Sequence, residues 1–520
     1  MRTPLICISA VMLAGSMAHA QEAPTPATLR WSRFFNAIPD TVGVGNHGTL
    51  AWLGLSLNNE RLALLAPTET SPPVAIYEDT SSVGYRVEVA AADRSPACAV
   101  VWRNPITQTG EIRYYDGFSV SPQTIMGPNR MEEVRISDDG ARVAVGYNDD
   151  TFQAAVNVYD ETLALLTSMV AVVPSTGYVE HHLSADGSRV LLATQNTDYL
   201  FDVASGDLLH QNPHFSTFVT NNHALDGDGH TWVEGNSDVG IWRENSGAFT
   251  KILTFADPAL AGSVDQYTAC GISRDGSTVV ATGNVQGRPG HLRVYCWALS
   301  PAGATLLWTH VRNAPSTLPD WGQEVSLSDN GRWIAVGTLG TVPSLYPEVI
   351  VFDRDSGNVP IASIDTFASC TSVDISGNGR FVLAGAMQNH AFIGSSFGYA
   401  YCLDLGRQGL WLSGTPSIGR AATLHIQGDL GDPVWMAASL HLLPVGVPIA
   451  GFSGSWWLDL MQPTLLPPTF FGTVSASGRL SVPFTLPLDP ALVGLEIFVQ
   501  SARLGSANAI DNHLRLPITP

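Results

Sequence analysis

Glutamate recurs at one place in a repeated motif, seven residues before the glycine of a predicted turn. This place begins the first strand of each repeat, which we expect to be the innermost, so its side chains should gather at one mouth of a central channel. Converging carboxylates focus a negative potential and offer the oxygen ligands that divalent cations prefer. We therefore predict a ligand- or cation-binding site there, against the alternative that channel-lining positions are polar because they are wet. The predicted site residues are Glu88, Glu133, Glu180, Asn222 and Glu324.

Three short motifs look like metal or catalytic sites but lack the context that such sites require. At residues 180–182, Glu-His-His, adjacent histidines would face opposite sides of a strand, so we expect His181, like His223, to be a hydrogen-bonded packing residue. Residues 226–229 begin like a calcium loop without its later acidic ligands, and we interpret them as a turn. Ser396 lies in Gly-x-Ser-x-Gly but precedes a predicted strand rather than a helix. We predict no catalytic residue.

The motif that positions these residues has the form apolar-x-apolar-Ser-x-Asp-Gly-x-x-apolar-Ala-x-Gly. Its intervals scatter around roughly 45 residues, the length of four short strands and their turns. Alternating apolar residues predict the first strand, Asp-Gly or Asn-Gly a tight turn, and an apolar run that ends in Asp the third strand. Six clear copies centre on Gly140, Gly187, Gly229, Gly276, Gly331 and Gly379, and two weaker copies lie around Asn59 and Ser95.

These repeats predict an all-β chain with a β-propeller of about eight four-stranded blades, seven being the alternative. One blade cannot bury both of its faces, so the blades must stack around an axis. Residues 28–34 could close the ring as an outer strand. Separate β-sandwiches in tandem would not explain a single motif that recurs over roughly 350 residues.

The repeats also resemble a known superfamily. The Ser-x-Asp-Gly turns resemble those of WD40-like propellers, and Leu-Phe-Asp-Val-Ala-Ser-Gly-Asp-Leu-Leu at residues 200–209 is similar to the repeat of quinoprotein-like propellers. The resemblance covers roughly residues 45–410 and implies a secreted bacterial propeller. It implies no activity, because such repeats serve scaffolds, binders and enzymes alike. The Trp-Asp ending of WD40 repeats is missing, and tryptophans do not recur where quinone-cofactor enzymes have them.

The two ends of the chain differ from the repeats. Residues 1–20 combine Arg2, a short apolar run and an Ala-x-Ala type ending, which predicts a signal peptide cleaved between Ala20 and Gln21. Residues 21–413 then form the propeller domain. Residues 414–520 contain about seven short apolar strands punctuated by Pro and Gly, which predicts an antiparallel β-sandwich of unknown role.

Charge and cysteine content limit the partners and the chemistry. The net charge is −20 and Lys251 is the single lysine, so nucleic acid and anionic membrane surfaces are poor partners, whereas a cation or a basic peptide is acceptable. No apolar segment reaches the roughly 20 residues of a membrane span. Five cysteines follow the predicted cleavage site, an odd number, and most fall on strand positions that are apolar in other repeats. We therefore expect buried thiols.

The sequence predicts an exported binding or scaffold protein whose ligand is unknown. It would act outside the cell, on the cell surface or in the periplasm, and bind a small ligand, a peptide or a surface polymer. Two alternatives stay open: a metal-dependent propeller hydrolase or lyase that acts on an extracellular polymer, and a purely structural protein of surface assembly. No cofactor is identified, although a divalent cation is compatible with the glutamates.

Overall fold

A computed structural model gives the fold of the chain. It describes residues 27–518 except for short gaps. The gaps are 36–37, 46–49, 57–59, 66–74, 81–85, 94, 96, 105–106, 117–121, 149–152, 172–179, 215–221, 261–266, 285–290, 314–315, 317–319, 343–345, 367, 378, 392, 394–396, 406–409, 414–417, 420, 428–430, 450–451, 453–454, 460–463, 475–478, 494 and 505–508.

The described part of the chain is built of β-strands, with three single-turn 3-10 helices and no α-helix. The strands of the first half are β1 (Thr28–Phe35), β2 (Ile38–Gly45), β3 (Leu50–Ser56), β4 (Glu60–Leu65), β5 (Ala75–Thr80), β6 (Arg86–Ala91), β7 (Cys98–Arg103), β8 (Gly110–Tyr115), β9 (Gln123–Met126), β10 (Met131–Ile136), β11 (Arg142–Asn148), β12 (Ala154–Asp160), β13 (Leu165–Val170), β14 (Glu180–Leu183), β15 (Arg189–Ala193), β16 (Thr197–Asp202), β17 (Leu208–Pro213), β18 (His223–Leu225), β19 (Thr231–Gly235), β20 (Val239–Asn245) and β21 (Ala248–Phe255).

The second half continues the same pattern. Its strands are β22 (Tyr267–Ile272), β23 (Thr278–Asn284), β24 (His291–Ser300), β25 (Gly303–Asn313), β26 (Gly322–Leu327), β27 (Trp333–Thr338), β28 (Val349–Asp353), β29 (Ala362–Ile364), β30 (Cys370–Ile375), β31 (Phe381–Met387), β32 (Gly398–Asp404), β33 (Leu410–Ser413), β34 (Ala421–Gln427), β35 (Pro433–Ser439), β36 (Leu442–Pro448), β37 (Ser455–Leu458), β38 (Thr464–Thr473), β39 (Arg479–Thr485), β40 (Glu496–Arg503) and β41 (Ala509–Pro517), and the 3-10 turns are Pro258–Leu260, Arg354–Ser356 and Pro490–Leu492.

Eight four-stranded antiparallel sheets account for β1 to β32. Seven of them use four consecutive strands: sheet 1 is β2–β5, sheet 2 is β6–β9, sheet 3 is β10–β13, sheet 4 is β14–β17, sheet 5 is β18–β21, sheet 6 is β22–β25 and sheet 7 is β26–β29. Sheet 8 takes β30, β31 and β32 from the end of the repeats and β1 from their beginning, because β1 pairs with β32. The first strands contact one another in sequence from β2 to β30, and β30 contacts β2.

The predicted turns hold each first strand to its second. The turn glycines have positive φ, such as +77° at Gly140 and +63° at Gly331, a conformation that costs glycine little. In sheets 3, 4, 6, 7 and 8 the serine before the turn accepts a hydrogen bond from the second strand, as Arg142 N donates to Ser137 Oγ over 2.9 Å, and in sheet 5 Asp226 takes the place of the serine. The Ser-x-Asp-Gly chemistry expected from the sequence is therefore confirmed in these repeats.

Sheet 1 differs from the predicted register. In the weak copy around Asn59, the residue seven positions before the predicted turn is Trp52, which the motif therefore assigns to a first strand. Trp52 instead lies in β3, which pairs with both β2 and β4 and is a second strand. The first strand is β2, and its Thr41 stands where the other repeats carry Glu or its substitutes. The error arose because the turn after β2 lacks the Ser-x-Asp-Gly motif.

Neighbouring sheets share apolar cores that are drawn from both. Trp31 and Phe35 of β1 pack with Val42 and Leu53 of sheet 1, which joins the last sheet to the first. All five described cysteines are free, buried thiols, as expected, and they are Cys98, Cys270, Cys296, Cys370 and Cys402.

The strands after sheet 8 form smaller sheets of their own. β33, β34 and β39 make a three-stranded sheet, β38, β35, β40 and β41 make a four-stranded one, and β36 pairs with β37. Leu424 and Ile426 of β34 share a buried cluster with Val434 and Met436 of β35, so the two larger sheets pack against each other. No helix in the described parts of the chain has the length and apolar character needed to cross a bilayer.

Candidate functional site

The predicted glutamates begin the first strands, but their carboxylates reach the neighbouring sheet. Glu133 of sheet 3 accepts a hydrogen bond from His181 N of sheet 4 over 2.9 Å. Glu180 of sheet 4 lies 3.4 Å from His223 N of sheet 5 and 3.0 Å from His223 Nδ1. Glu324 of sheet 7 accepts from Val373 N of sheet 8 over 2.8 Å. Each carboxylate therefore connects one sheet to the next.

Shorter side chains make the same kind of link between sheets 8 and 1. Ser372, at the aligned position of sheet 8, accepts from Val42 N of sheet 1 over 3.2 Å. Two residues further along the strand, Asp374 accepts from Val44 N over 2.8 Å. In sheets 3, 4, 7 and 8 this place therefore holds an acceptor that faces the next strand, whereas sheet 6 carries Ala269 there.

The other two predicted residues are also buried. Glu88 is 9% exposed and Asn222 is 4% exposed, and Asn222 Nδ2 donates to Gly235 O of its own sheet over 2.6 Å. Among the described residues, the side chains placed closely enough to hold a metal ion together do not include any of the four glutamates. Their role in binding a cation stays a prediction.

A cavity of about 310 Å³ lies where the first strands face one another. Six carboxylates line it but only two guanidinium groups, and Glu324 is the one member of the predicted set in its wall. The charged lining residues are Asp93, Asp138, Asp226, Glu324, Asp329, Asp374, Arg135 and Arg274, accompanied by the imidazoles of His182 and His223.

Arg274 crosses one end of the cavity. It follows β22 of sheet 6, and its guanidinium lies 2.7 Å from Asp93, 2.5 Å from Asp138 and 2.9 Å from Asp329, which follow the first strands of sheets 2, 3 and 7. Backbone bonds join the turns at the same end, as where Gly227 N donates to Arg274 O over 2.8 Å. One cation thus ties together four sheets.

Several of the cavity carboxylates have raised pKa values. Burial raises the pKa of Asp93 to about 7, and the nearby carboxylates of Asp329 and Asp374 add to the rise although Arg274 opposes it. Burial likewise raises the pKa of Asp374 to about 6 and raises that of Glu324. The cause is an excess of carboxylates over cations in a space shielded from water.

A second polar cluster lies between sheets 4 and 5, around His223. Its Nδ1 is 3.0 Å from Glu180 Oε2, and its Nε2 is 3.1 Å from Oδ1 of Asp198, which belongs to β16. The same Asp198 oxygen lies 2.8 Å from Nε2 of His214, just after β17. Asn212 Nδ2 donates to the other Asp198 oxygen over 3.3 Å. His223 therefore contacts two carboxylates, which goes beyond the packing role that we expected.

In this cluster the pKa values of the two carboxylates are lowered rather than raised, and the pKa of His223 is raised. Burial alone would raise the pKa of Glu180, but its hydrogen bonds to His182 and His223 lower it to about 2. Asp198 also has a lowered pKa, because the two neighbouring imidazoles outweigh its burial. Burial opposes the charged form of His223, yet the adjacent Asp198 and Glu180 raise the pKa of His223 well above its ordinary value. Charged partners, rather than burial, decide these values.

Sequence reasoning missed Asp198, His214, Asp93 and Arg274. Asp198 and His214 stand outside the repeated motif, and Arg274 occupies the variable position of Ser-x-Asp-Gly, so no alignment signal singles them out. Their grouping depends on contacts between different sheets.

Other motifs have clear outcomes where the structure describes them. The calcium-like segment 226–229 forms the turn between β18 and β19, as predicted, with Gly229 at a φ of +72°. His181 is a buried hydrogen-bonded residue, with Nε2 3.2 Å from Ala144 O. Ser396, Ala20 and Gln21 lie outside the described residues.

No protein-family model matches this chain, and no curated protein matches it significantly.

Proposed function

We propose that this chain is an exported ligand-binding protein, in which the eight sheets form a β-propeller and the cavity at its axis binds a small organic cation. The excess of six carboxylates over two guanidinium groups in the cavity wall is the observation that carries the proposal. A bound cation would supply the positive charge that these carboxylates lack.

The propeller is supported by how the sheets follow one another. Each first strand contacts the next from β2 to β30, and β30 contacts β2. The pairing of β1 with β32 would fasten the last blade, in agreement with the closing strand suggested at residues 28–34. The core that β34 and β35 share supports a β-sandwich after the propeller. Export is proposed from the signal-like residues 1–20 alone.

Cavity size and charge limit the ligand to a small cation. About 310 Å³ is at the low end of the range of roughly 300–1,000 Å³ typical of small-molecule sites. The guanidinium of Arg274 is an example of how these carboxylates bind an organic cation, because it lies close to three aspartates at one end of the cavity. Amines and guanidines suit the carboxylates that remain, Glu324, Asp226 and Asp374.

The predicted glutamates take different roles in this proposal. Glu324 faces the ligand, whereas Glu133 and Glu180 hold neighbouring sheets together through backbone N–H groups. A hydrolase or lyase with a metal on all four glutamates is less well supported, because the oxygens of Glu133, Glu180 and Glu324 already serve as acceptors between sheets.

The test is a thermal-shift series on the full chain with spermidine and agmatine at low ionic strength. Binding at 100 times the dissociation constant should stabilise the folded protein by about 2.7 kcal/mol, and added salt should weaken the effect. The variant Asp374→Asn/Glu324→Gln keeps acceptor oxygens at both positions but removes two of the carboxylates proposed to face the amine, and it should lose most of the shift.

The matched control is Asp116→Asn/Glu161→Gln, which removes the same charge from exposed positions. It should keep the full shift. Equal loss in both double variants would mean that the amines bind the acidic surface in general. No shift with either amine would overturn the proposal.

A further inference from the structure

We infer that Asp198, His214 and His223 bind a zinc ion between sheets 4 and 5. Each residue offers one ligand atom, and the three atoms lie within 4.8 Å of one another. The site comes from three separate elements: β16, the segment just after β17, and the first residue of β18. It goes beyond the cation proposed for the cavity, because Asp198 and His214 do not line that cavity.

The spacing of the ligand atoms suits a tetrahedral ion. Asp198 Oδ1 is 2.8 Å from His214 Nε2 and 3.1 Å from His223 Nε2. Ligands bound at 2.0–2.1 Å in a tetrahedral site stand roughly 3.3 Å from one another. These two pairs therefore need shifts of only a few tenths of an ångström, and the third pair, between the two histidines, lies within 4.8 Å.

A buried nitrogen without a hydrogen bond points into the same space. His223 is 0% exposed, and its Nε2 has no hydrogen-bond partner among the described residues. Asp198 lies at ion-pair distance from this nitrogen but without the directionality of a hydrogen bond. A metal ion would take the place of the proton on this nitrogen and give it a partner, since buried polar atoms are rarely left without one.

The surrounding hydrogen bonds orient the ligands. Glu180 Oε2 lies 3.0 Å from Nδ1 of His223, the arrangement in which a carboxylate fixes a metal-binding imidazole so that Nε2 faces the ion. Asn212 donates to the Asp198 oxygen that is not a ligand, over 3.3 Å. Two of the three ligands are thus held by neighbours that are not ligands themselves.

The donor set selects the metal. Two imidazoles and one carboxylate suit zinc, whereas calcium and magnesium prefer all-oxygen sites. Three protein ligands leave a fourth position for water or a ligand. His214, with 11% of its side chain exposed, marks the accessible side, since Asp198 and His223 are at most 1% exposed.

The experiment measures zinc and cobalt binding to the full chain after the chelator dipicolinate has removed bound metal and has itself been dialysed away. We expect one zinc ion per chain by calorimetry. Cobalt should give visible bands of a nitrogen and oxygen site without the thiolate charge-transfer bands that the cysteines would produce. His214→Ala should weaken zinc binding by more than the roughly 10- to 100-fold that loss of a ligand's hydrogen-bond partner costs.

The matched control is His230→Ala. His230 also lies beside a carboxylate, 2.5 Å from Glu244, but belongs to no group of three ligands among the described residues, so its variant should bind zinc as the wild type does. Circular dichroism establishes that each variant is folded, and Asp198→Asn serves as a second ligand variant. Unchanged zinc affinity in folded His214→Ala, or no zinc bound by the folded wild type, would overturn the site and leave a buried ion pair in its place. Neither result bears on amine binding, which uses different variants.

Discussion

Asp93 in the cavity is more accessible to water than Glu180 between sheets 4 and 5, yet it is the pKa of Asp93 that is raised and the pKa of Glu180 that is lowered. Asp93 is 19% exposed and its pKa is raised to about 7, whereas Glu180 is 1% exposed and its pKa is lowered to about 2. In the cavity, Arg274 is shared among three aspartates. By contrast, the single carboxylate of Glu180 has two imidazole partners. Burial raises the pKa of both carboxylates, so the difference between them comes from the number of cationic donors that each one has.

The largest test of this contrast is His223→Leu. It leaves Glu180 and Asp198 buried without their shared cation, and breaking a buried ion pair in this way costs about 3–5 kcal/mol. Urea unfolding followed by tryptophan fluorescence should show a loss of this size at pH 7. The exposed His230 provides the comparison, because His230→Leu should cost about 1 kcal/mol or less. Similar small losses in both variants would contradict the contrast.

Arg274→Met should have a smaller effect that depends on pH. At pH 8 the three aspartates lose their common partner, and we expect a loss of about 2 kcal/mol, below the range for fully buried pairs because the side chain is 21% exposed. At pH 5 the raised pKa of Asp93 allows it to take up a proton, so the loss should be smaller. Urea unfolding at both pH values measures the difference. An equal loss at both pH values would show that Asp93 stays ionised at pH 5.

Asp93→Asn should act chiefly on the pH dependence of the free energy of unfolding. With a folded pKa of about 7 against an ordinary 3.8, the folded protein binds more protons than the unfolded chain between roughly pH 4 and 7. The free energy of unfolding therefore falls as the pH rises through this window, by up to about 1.4 kcal/mol per pH unit for this one group, and Asp93→Asn should flatten that fall. Unfolding curves from pH 4 to 8 would reveal it. An unchanged slope would place the Asp93 pKa near its ordinary value.

The sequence predicts the all-β fold well, because the repeat carries its own local chemistry. A turn such as that at Gly140 needs a positive φ and a serine acceptor, and both are encoded within a few residues. The strands of sheet 1 were not predicted correctly, because the turn after β2 lacks this motif, and Trp52 was placed in the wrong strand. Local signals fail where a repeat has diverged.

The two polar sites follow a different rule. The recurrence of glutamate at one position was visible, but the direction of its side chain was not, since a strand start allows it to face the axis or the next sheet. Asp198, His214 and His223 meet only because separate strands bring them together. Arg274 reaches aspartates of three other sheets, up to 181 residues away in the chain. Such groupings depend on the tertiary fold, and they leave no regular spacing of residues in the sequence from which they could be predicted.

The pairing of β1 with β32 sets an order of events during synthesis. Arg30 and Asp404, which form an ion pair in sheet 8, are 374 residues apart in the chain. As the ribosome makes the chain, sheets 1 to 7 can each acquire all their strands locally, but sheet 8 must wait until the last repeat emerges. Contacts of such high sequence separation form slowly, because a long loop has to close first. Chains that stop before β32 would therefore leave β1 an unpaired edge strand, open to association with other copies.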